Sequence, residues 1–234
     1  MNFPVEVLGE KPKYNRAILY ENPVDASGWG RAGGRRRGGA TKGGSCGTAE
    51  PHELRALVPI FKGVWGLTIE SHPTFWFYIP YKTGEFHSAK FVLWDKDRTY
   101  RYEKNIPSSQ PFPNLISISI PQTKEPLEIG KEYNVVLKVY CEDPEEASDP
   151  TDVVKVDVRN FVVRISADEI PGLQSELDQA GDDLRQQAVI YAKYGIWFDA
   201  LRIIGELRQQ EPNNPQYQED WNKLLEDIDM KISK

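Results

Sequence analysis

The sequence predicts an α+β protein in which an antiparallel β-sandwich is followed by a small helical unit. Seven segments of alternating apolar and polar residues, separated by turn residues, are typical of a sandwich of the immunoglobulin-like or jelly-roll-like type. After Pro171 the apolar period changes to that of helices. The chain has 234 residues, of which 39% are hydrophobic, enough for one full core and a smaller second unit.

The aromatic stretch from Phe75 to Tyr81 is the centre of the predicted sandwich. Successive side chains of a strand point to opposite faces, so Phe75 and Phe77 share one face while Trp76 and Tyr78 lie on the other. The first face predicts a core. The second face predicts either another buried surface or an exposed contact surface, and the pattern alone leaves both open.

The other predicted strands follow from the same alternation. Asn160 breaks the phase before Phe161, which predicts a β-bulge at that position. The seven predicted strands are Leu67–Glu70, Thr74–Tyr81, Ala89–Asp95, Thr99–Asn105, Leu115–Ile120, Glu132–Cys141 and Val153–Ile165.

Four regions follow from composition. Residues 1–27 form an extended arm with one short strand at Ala17–Tyr20, residues 28–50 form a Gly/Arg-rich loop, residues 51–166 form the sandwich and residues 170–234 form the helical unit.

Within the loop, Arg35, Arg36 and Arg37 lie among glycines, and no acidic residue occurs between Ser27 and Ala49. Since the net charge is −6, a basic loop accompanies an acidic body, and its arginines bind either an outside anion or that body.

The helical unit predicts a hairpin of two helices and a closing helix. Gly181, Gly195 and Pro212 mark its weak points and turns. Its apolar positions partly match a single tetratricopeptide (TPR) repeat, so a TPR-like hairpin is expected, docked on the sandwich or on a partner. The matching positions are Leu184, Ala188, Tyr191, Ala200, Ile204 and Pro212.

The two cysteines have two interpretations. Cys46 and Cys141 form a disulfide, or Cys46 is a nucleophile with His52 as its base. The residue pattern favours the disulfide and leaves the nucleophile open.

No apolar run in the sequence reaches the roughly 18 residues of a membrane helix. Residues 1–13 also lack the apolar part of a signal peptide, which indicates a cytoplasmic protein or one whose leader was removed.

Motif matches give little support to an enzyme. The glycine-rich loop contains matches to the dinucleotide fingerprint and, around Ser45, to the hydrolase elbow, but neither lies between a buried strand and a helix. The three histidines lack metal-ligand spacing. We therefore expect no catalytic residues, no metal site and no cofactor, with a hydrolase as the lowest-ranked alternative.

Several segments together resemble the cyanobacterial family called domain of unknown function 928. They are residues 34–46, Leu57 to Pro59, Pro73 to Tyr81, Leu115 to Pro121, Gly130 to Cys141 and Gly195 to Leu201. The resemblance brings no activity. It implies an exported protein with a disulfide and an interaction role in the cell envelope.

We therefore expect a non-enzymatic interaction or assembly module, periplasmic or extracellular, with a cytoplasmic location as the alternative. The expected partner is another protein or a second copy, and nucleic acid is not among the partners we expect. The alternative function is a sandwich that binds carbohydrate through its rings or an anionic polymer through its arginines. The candidate binding residues are Trp29, Arg35, Arg36, Arg37, Trp76, Tyr78 and Trp197.

Overall fold

A curved nine-stranded sheet and a layer of helices make up the part of the chain that the computed structural model describes, which is residues 17–23, 33–40, 46–108, 114–147, 153 and 155–228. The strands are β1 (Arg35–Ala40), β2 (Arg55–Ala56), β3 (Trp65–Thr68), β4 (Thr74–Tyr78), β5 (Ser88–Asp95), β6 (Arg101–Pro107), β7 (Leu115–Ser119), β8 (Glu132–Tyr140) and β9 (Lys155–Arg164). The helices are α1 (Leu173–Ala180), α2 (Leu184–Lys193), α3 (Trp197–Gln210) and α4 (Pro215–Asp227). Short 3-10 turns lie at Pro51–Glu53 and Ala167–Glu169.

The strand order is β6-β5-β8-β9-β1-β2-β4-β7, and β3 pairs with β9 in addition. β1 belongs to both halves of the sheet, because it pairs antiparallel with β9 on one side and with β2 on the other. The sheet folds over at this strand, so the β4 half faces the β5 half. This arrangement confirms an antiparallel β-rich sandwich, or half-barrel, with helices at its C-terminal end.

The main core lies between the two halves of the sheet. Phe75 and Phe77 on β4 contact Phe91 on β5, with ring centroids 5.5 and 6.1 Å apart. All three rings are buried, as are Val135 and Leu137 on β8. Burial of such side chains contributes about 2 kcal/mol each and is the main source of stability.

The second core lies between β4 and the helices. Trp76, on the outer face of β4, contacts the Trp221 ring of α4 at 5.1 Å between centroids. α3 crosses β3 and β4, and the Trp197 indole N–H donates a hydrogen bond to the Leu57 carbonyl oxygen at 2.8 Å. The outer face of the aromatic strand is therefore a second buried surface, which decides between the two alternatives that the sequence left open.

The helices begin and end at residues suited to those positions. Asp183 caps α2 by accepting a hydrogen bond from the Gln186 amide at 2.9 Å, and Asn214 caps α4, whose first residue is Pro215. Gly195 between α2 and α3 has φ +72°, a conformation that side chains other than glycine rarely adopt. These local signals place the helix boundaries where the sequence predicted turns.

All seven predicted strands overlap strands of the structure, but several finer predictions were wrong. β1 lies inside the segment predicted as a loop, and Ala17–Tyr20 does not form a strand. The helical unit has four helices up to residue 228, where the described part of the chain ends, because Gly181 separates α1 from α2. The pairing of β3 with β9 is parallel, so the sheet is not antiparallel throughout.

The predicted bulge at Asn160 is also absent. β8 and β9 pair without interruption from Glu132↔Val163 to Tyr140↔Lys155. Asn160 is 2% exposed and continues the buried face of Val158 and Val162. The phase change in the sequence arises because both faces of β9 are buried near its end, where Val162 and Val163 are 0% and 1% exposed.

The disulfide prediction is confirmed. Cys46 and Cys141 are bonded, with Cα atoms 4.9 Å apart, and no free cysteine occurs in the described residues. The bond joins the segment after β1 to the end of β8. The alternative of Cys46 as a free nucleophile is thereby ruled out for this state of the protein.

We expect the double variant Cys46→Ala/Cys141→Ala to unfold more readily than the wild type. The bond closes a loop with a sequence separation of 95. In the chain-entropy treatment, opening such a loop lowers the free energy of unfolding by roughly 4 kcal/mol. Urea unfolding with and without a reducing agent measures this, and the reducing agent should leave the double variant unchanged. Equal stability of wild type and variant under oxidising conditions would contradict the role of the bond.

Candidate interaction surface

The arginines of β1 are used mainly inside the protein. The Arg35 guanidinium pairs with the Asp157 carboxylate on β9. Arg36 is 6% exposed and donates hydrogen bonds to the carbonyl oxygen of Val58 at 3.4 Å and to that of Ile228 at the end of α4. A cation suits that position, since the last carbonyl groups of a helix lack helical partners and carry partial negative charge. Arg37 is exposed.

Two of the three candidate arginines thus make contacts within the protein. Of the two arrangements left open by the sequence, Arg35 and Arg36 adopt the internal one. Alternation along β1 is the cause, since it places Arg36 on the opposite face from Arg35 and Arg37.

The candidate aromatic residues are likewise mostly buried. Trp76 is 2% exposed and Trp197 is fully buried, so both are core residues and cannot contact a ligand in this structure. Helices that cover the outer face of β4 are the physical reason. Tyr78, at the end of β4, is half-buried. Trp29 and Ser45 lie outside the described residues.

β7 is a strand at the edge of the sheet, paired with β4 alone among the described elements. The Ile79 amide donates to the Asn114 carbonyl oxygen at 2.7 Å, just before β7 begins. The Ile120 amide donates to the Pro73 carbonyl oxygen at 3.1 Å, just after β7 ends. Because hydrogen-bonded pairs alternate along an antiparallel ladder, the even-numbered residues of β7 bond to β4.

The amide and carbonyl groups of Leu115, Ser117 and Ser119 therefore point away from β4. Within the described residues, no strand pairs with this side of β7. The Ser117 and Ser119 side chains are exposed and small, so they leave room for an approaching chain. We call this backbone row the free edge of β7.

The opposite edge of the sheet is built differently. The Asp95 amide donates to the Tyr100 carbonyl oxygen at 3.3 Å, which places the outward backbone groups of β6 at odd-numbered residues. These include Arg101 and Glu103, whose side chains form an ion pair, and Pro107, which has no amide N–H. Charged side chains and proline are the features that block pairing at an edge strand. β7 carries neither.

One buried ionisable group lies where the helices meet the sheet. Asp199, in the first turn of α3, is 1% exposed, and neither carboxylate oxygen has a hydrogen bond of normal geometry within the described residues. Burial raises the pKa of Asp199 to about 7, and the nearby Glu70 carboxylate acts in the same direction. The Thr68 hydroxyl and the Arg202 guanidinium oppose the shift but do not cancel it.

A groove of about 590 Å³ lies where the arm, β3 and the end of α2 meet. Its walls are mainly apolar and include Trp65, Leu67 and Ile170, with Lys193 and Glu169 among its polar residues. Lys193 already pairs with Glu176 at 2.6 Å. The cation that lines the groove is therefore already engaged within the protein.

The described residues hold no group of three His, Cys, Asp or Glu side chains placed to bind a metal ion. They also contain no helix long and apolar enough to cross a membrane.

The family of the chain follows from comparison. Residues 32–234 match the family described as Domain of Unknown Function (DUF928), and the chain belongs to this family. The resemblance found in the sequence is confirmed. No curated protein matches the chain.

Solved structures give only weak likenesses. The solution structure of the fn3 domain of human collagen alpha-1(XX) chain is 13% identical to this chain and has a TM-score of 0.26. The match covers 53% of this chain and 87% of that domain. The crystal structure of a multi-domain immunophilin from Arabidopsis thaliana is 11% identical and has a TM-score of 0.16. That match covers 67% of this chain and 88% of the immunophilin chain. Scores this low support no inference about fold or function.

Sequence reasoning did not identify the two most informative features. It predicted the β7 strand but not its place at an edge, which depends on strand order. It also passed over Asp199, although an acidic residue between Trp197 and Ala200 on an apolar helix face is a visible signal of a buried carboxyl group.

We expect Asp199→Asn to change how stability depends on pH. The pKa of Asp199 is about 7 in the folded state and near 3.8 when unfolded, so the folded state keeps a proton that the unfolded state loses in between. The free energy of unfolding therefore falls between about pH 4 and pH 7, by on the order of 4 kcal/mol from this group. The variant lacks this fall and should be the more stable protein at pH 8.

Urea unfolding at several pH values measures the difference between wild type and variant. The control is Asp182→Asn, which changes an exposed acid on the loop before α2. A difference between wild type and Asp199→Asn that stays constant from pH 4 to pH 8 would contradict the assignment.

Proposed function

We propose that this protein is a non-enzymatic interaction module that binds an extended segment of polypeptide along the free edge of β7. The single observation that supports this most is the row of outward backbone groups at Leu115, Ser117 and Ser119, without a pairing strand in the described residues. An added strand can satisfy all of these groups at once, as in β-strand addition.

The side chains of β7 suit such an addition. Ile116 and Ile118 share the inner face with Phe77 and Phe75, their partners on β4, and Ile116 is only half-buried. An added strand with apolar residues at alternate positions would extend the core past Ile116. The incoming segment should therefore alternate apolar and small polar residues, with few charges.

The contrast with β6 supports β7 as the binding edge. Exposed edge strands are prone to uncontrolled association, and charges and proline are the usual protection. In this chain β6 has both kinds of protection and β7 has neither. A strand-accepting edge explains why one edge is blocked and the other is open.

The disulfide supports an exported protein as part of this proposal. Disulfides persist in oxidising compartments and are rare in the cytosol. A periplasmic or extracellular location in the cell envelope is therefore the one we propose.

The helices serve as a scaffold in this proposal. The TPR-like positions Ala188, Ala200 and Ile204 are buried within the chain, where they pack α2 and α3 together and onto the sheet. A TPR-like pairing would then stabilise the module and leave binding to the sheet edge.

The carbohydrate and anionic-polymer alternatives have less support. Their candidate residues within the described chain reduce to Tyr78 and Arg37 at the surface, with Arg35 engaged by Asp157. Arg37 lies opposite Arg55, and Arg55 lies opposite Tyr78, so the three form a row across β1, β2 and β4. One half-buried ring is a small stacking surface for a sugar.

A peptide library displayed on phage and selected on the immobilised protein tests the proposed function. We expect the enriched peptides to alternate apolar and small polar residues. Their binding should weaken at least tenfold in Ser117→Pro, which removes one outward N–H and leaves the bonds to β4 intact. Ser117→Ala and Glu103→Pro, at the protected edge, should bind within about threefold of wild type.

Ser117→Lys provides a second test if the proline variant does not fold, since a lysine at the edge blocks pairing by charge. Circular dichroism and urea unfolding establish that each variant is folded. Enriched peptides that bind Ser117→Lys and Ser117→Pro as tightly as wild type would overturn the proposed function.

A further inference from the structure

We infer that the strand received by the free edge of β7 is β7 of a second copy of this chain. The two strands would run antiparallel about a two-fold axis at Ser117. The inference rests on the proposed function, because it requires that this edge accepts a strand. It goes further by naming the occupant and the register.

The backbone of β7 is self-complementary in this register. Ser117 lies opposite Ser117 of the second copy, and Leu115 lies opposite Ser119. Each of these residues directs its amide and carbonyl groups outward, so every outward group meets another outward group. The pairing forms about six hydrogen bonds, because each hydrogen-bonded pair of an antiparallel ladder exchanges two.

The side chains also match across the axis. Residues directly opposite each other in an antiparallel pair share a face of the sheet. Ile116 therefore lies beside Ile118 of the second copy on the inner face, which continues the apolar layer of both sandwiches. On the outer face Ser117 lies beside Ser117 of the second copy, and Ser119 lies beside Leu115 of the second copy. The small serine side chains do not conflict sterically.

Charge favours this contact over other edges of the same molecule. The chain has a net charge of −6, so two copies repel each other on average. The β7 sequence Leu-Ile-Ser-Ile-Ser has no charged side chain, so like charges do not meet along the axis. β6 is less suited to such a pairing, because an axis at Glu103 would place two carboxylates opposite each other and an axis at Asn105 would involve Pro107, which lacks an amide N–H.

The helical layer leaves space for the second copy. α3 lies over β3 and β4, and the Ser117 and Ser119 side chains remain exposed on the same outer face. Two-fold pairs are the commonest form of homo-oligomer. The contact along a five-residue strand is small, so we expect a dimer that forms in a concentration-dependent way.

Cysteine cross-linking tests the inference and its register. The native cysteines are bonded to each other, so an added thiol is the reactive one. Opposite residues of a hydrogen-bonded pair have Cα atoms about 5.5 Å apart, within the range of a disulfide. Ser117→Cys should therefore form a covalent dimer under mild oxidation.

Ser119→Cys is the matched control. In this register the Cα atoms of the two copies of residue 119 are separated by roughly 14 Å, too far for a disulfide. Ser119→Cys should remain a monomer on a denaturing gel. Cross-linking of both variants at equal rates would overturn the register, and cross-linking of neither would overturn the inference.

Sedimentation velocity completes the test on uncross-linked protein. The wild type should shift from monomer towards dimer between about 1 and 100 µM, while Ser117→Pro and Ser117→Lys should stay monomeric. A dimer that persists in both variants overturns the inference. A wild type that stays monomeric also overturns the inference. Phage-selected peptides whose binding is weakened by Ser117→Pro would in that case still support the proposed function.

Discussion

The burial of both faces of β4 is the constraint on which the rest of the structure depends. Phe75 and Phe77 fill the space between the two halves of the sheet, and Trp76 fills the space beneath the helices. One short strand therefore belongs to two cores. The helices cannot be removed without exposing an indole ring, and the sheet cannot flatten without exposing two phenyl rings.

Elements far apart in sequence are also joined by a hydrogen bond and by a covalent bond. Arg36 connects β1 to the end of α4, where its cation offsets the partial charge of the last carbonyl group. The disulfide connects the segment after β1 to β8. The arginine-rich segment is thus a structural clamp in the middle of the strand order, and the open edge of the sheet lies along β7.

The sequence predicts much of this architecture but not the site. Alternation around Ile116 and Ile118 and around Val156 and Val158 predicts strands, because a half-buried strand must alternate. Strand order is a different matter: whether β7 lies at an edge depends on contacts between distant segments. No local pattern records such contacts, so the free edge could not be predicted.

The errors at the candidate residues have a related physical cause. Arginines among glycines look exposed, yet alternation along β1 turns Arg36 to the buried face, where it bonds to the carbonyl oxygens of Val58 and Ile228. Tryptophans look like contact residues, yet Trp76 and Trp197 are buried because α3 and α4 pack against the outer face of β4. In both cases the tertiary environment decides a role that the residue type leaves open.

The substitution Gly205→Ala tests the central claim most directly. Alanine in place of glycine inside a helix ordinarily stabilises a protein by about 1 kcal/mol. Here a Cβ atom at position 205 would lie 2.3 Å from the Trp76 ring, so the ring or the helix must move. We expect a lower free energy of unfolding for Gly205→Ala in urea. A stabilised variant would contradict the packing of α3 on the outer face of β4.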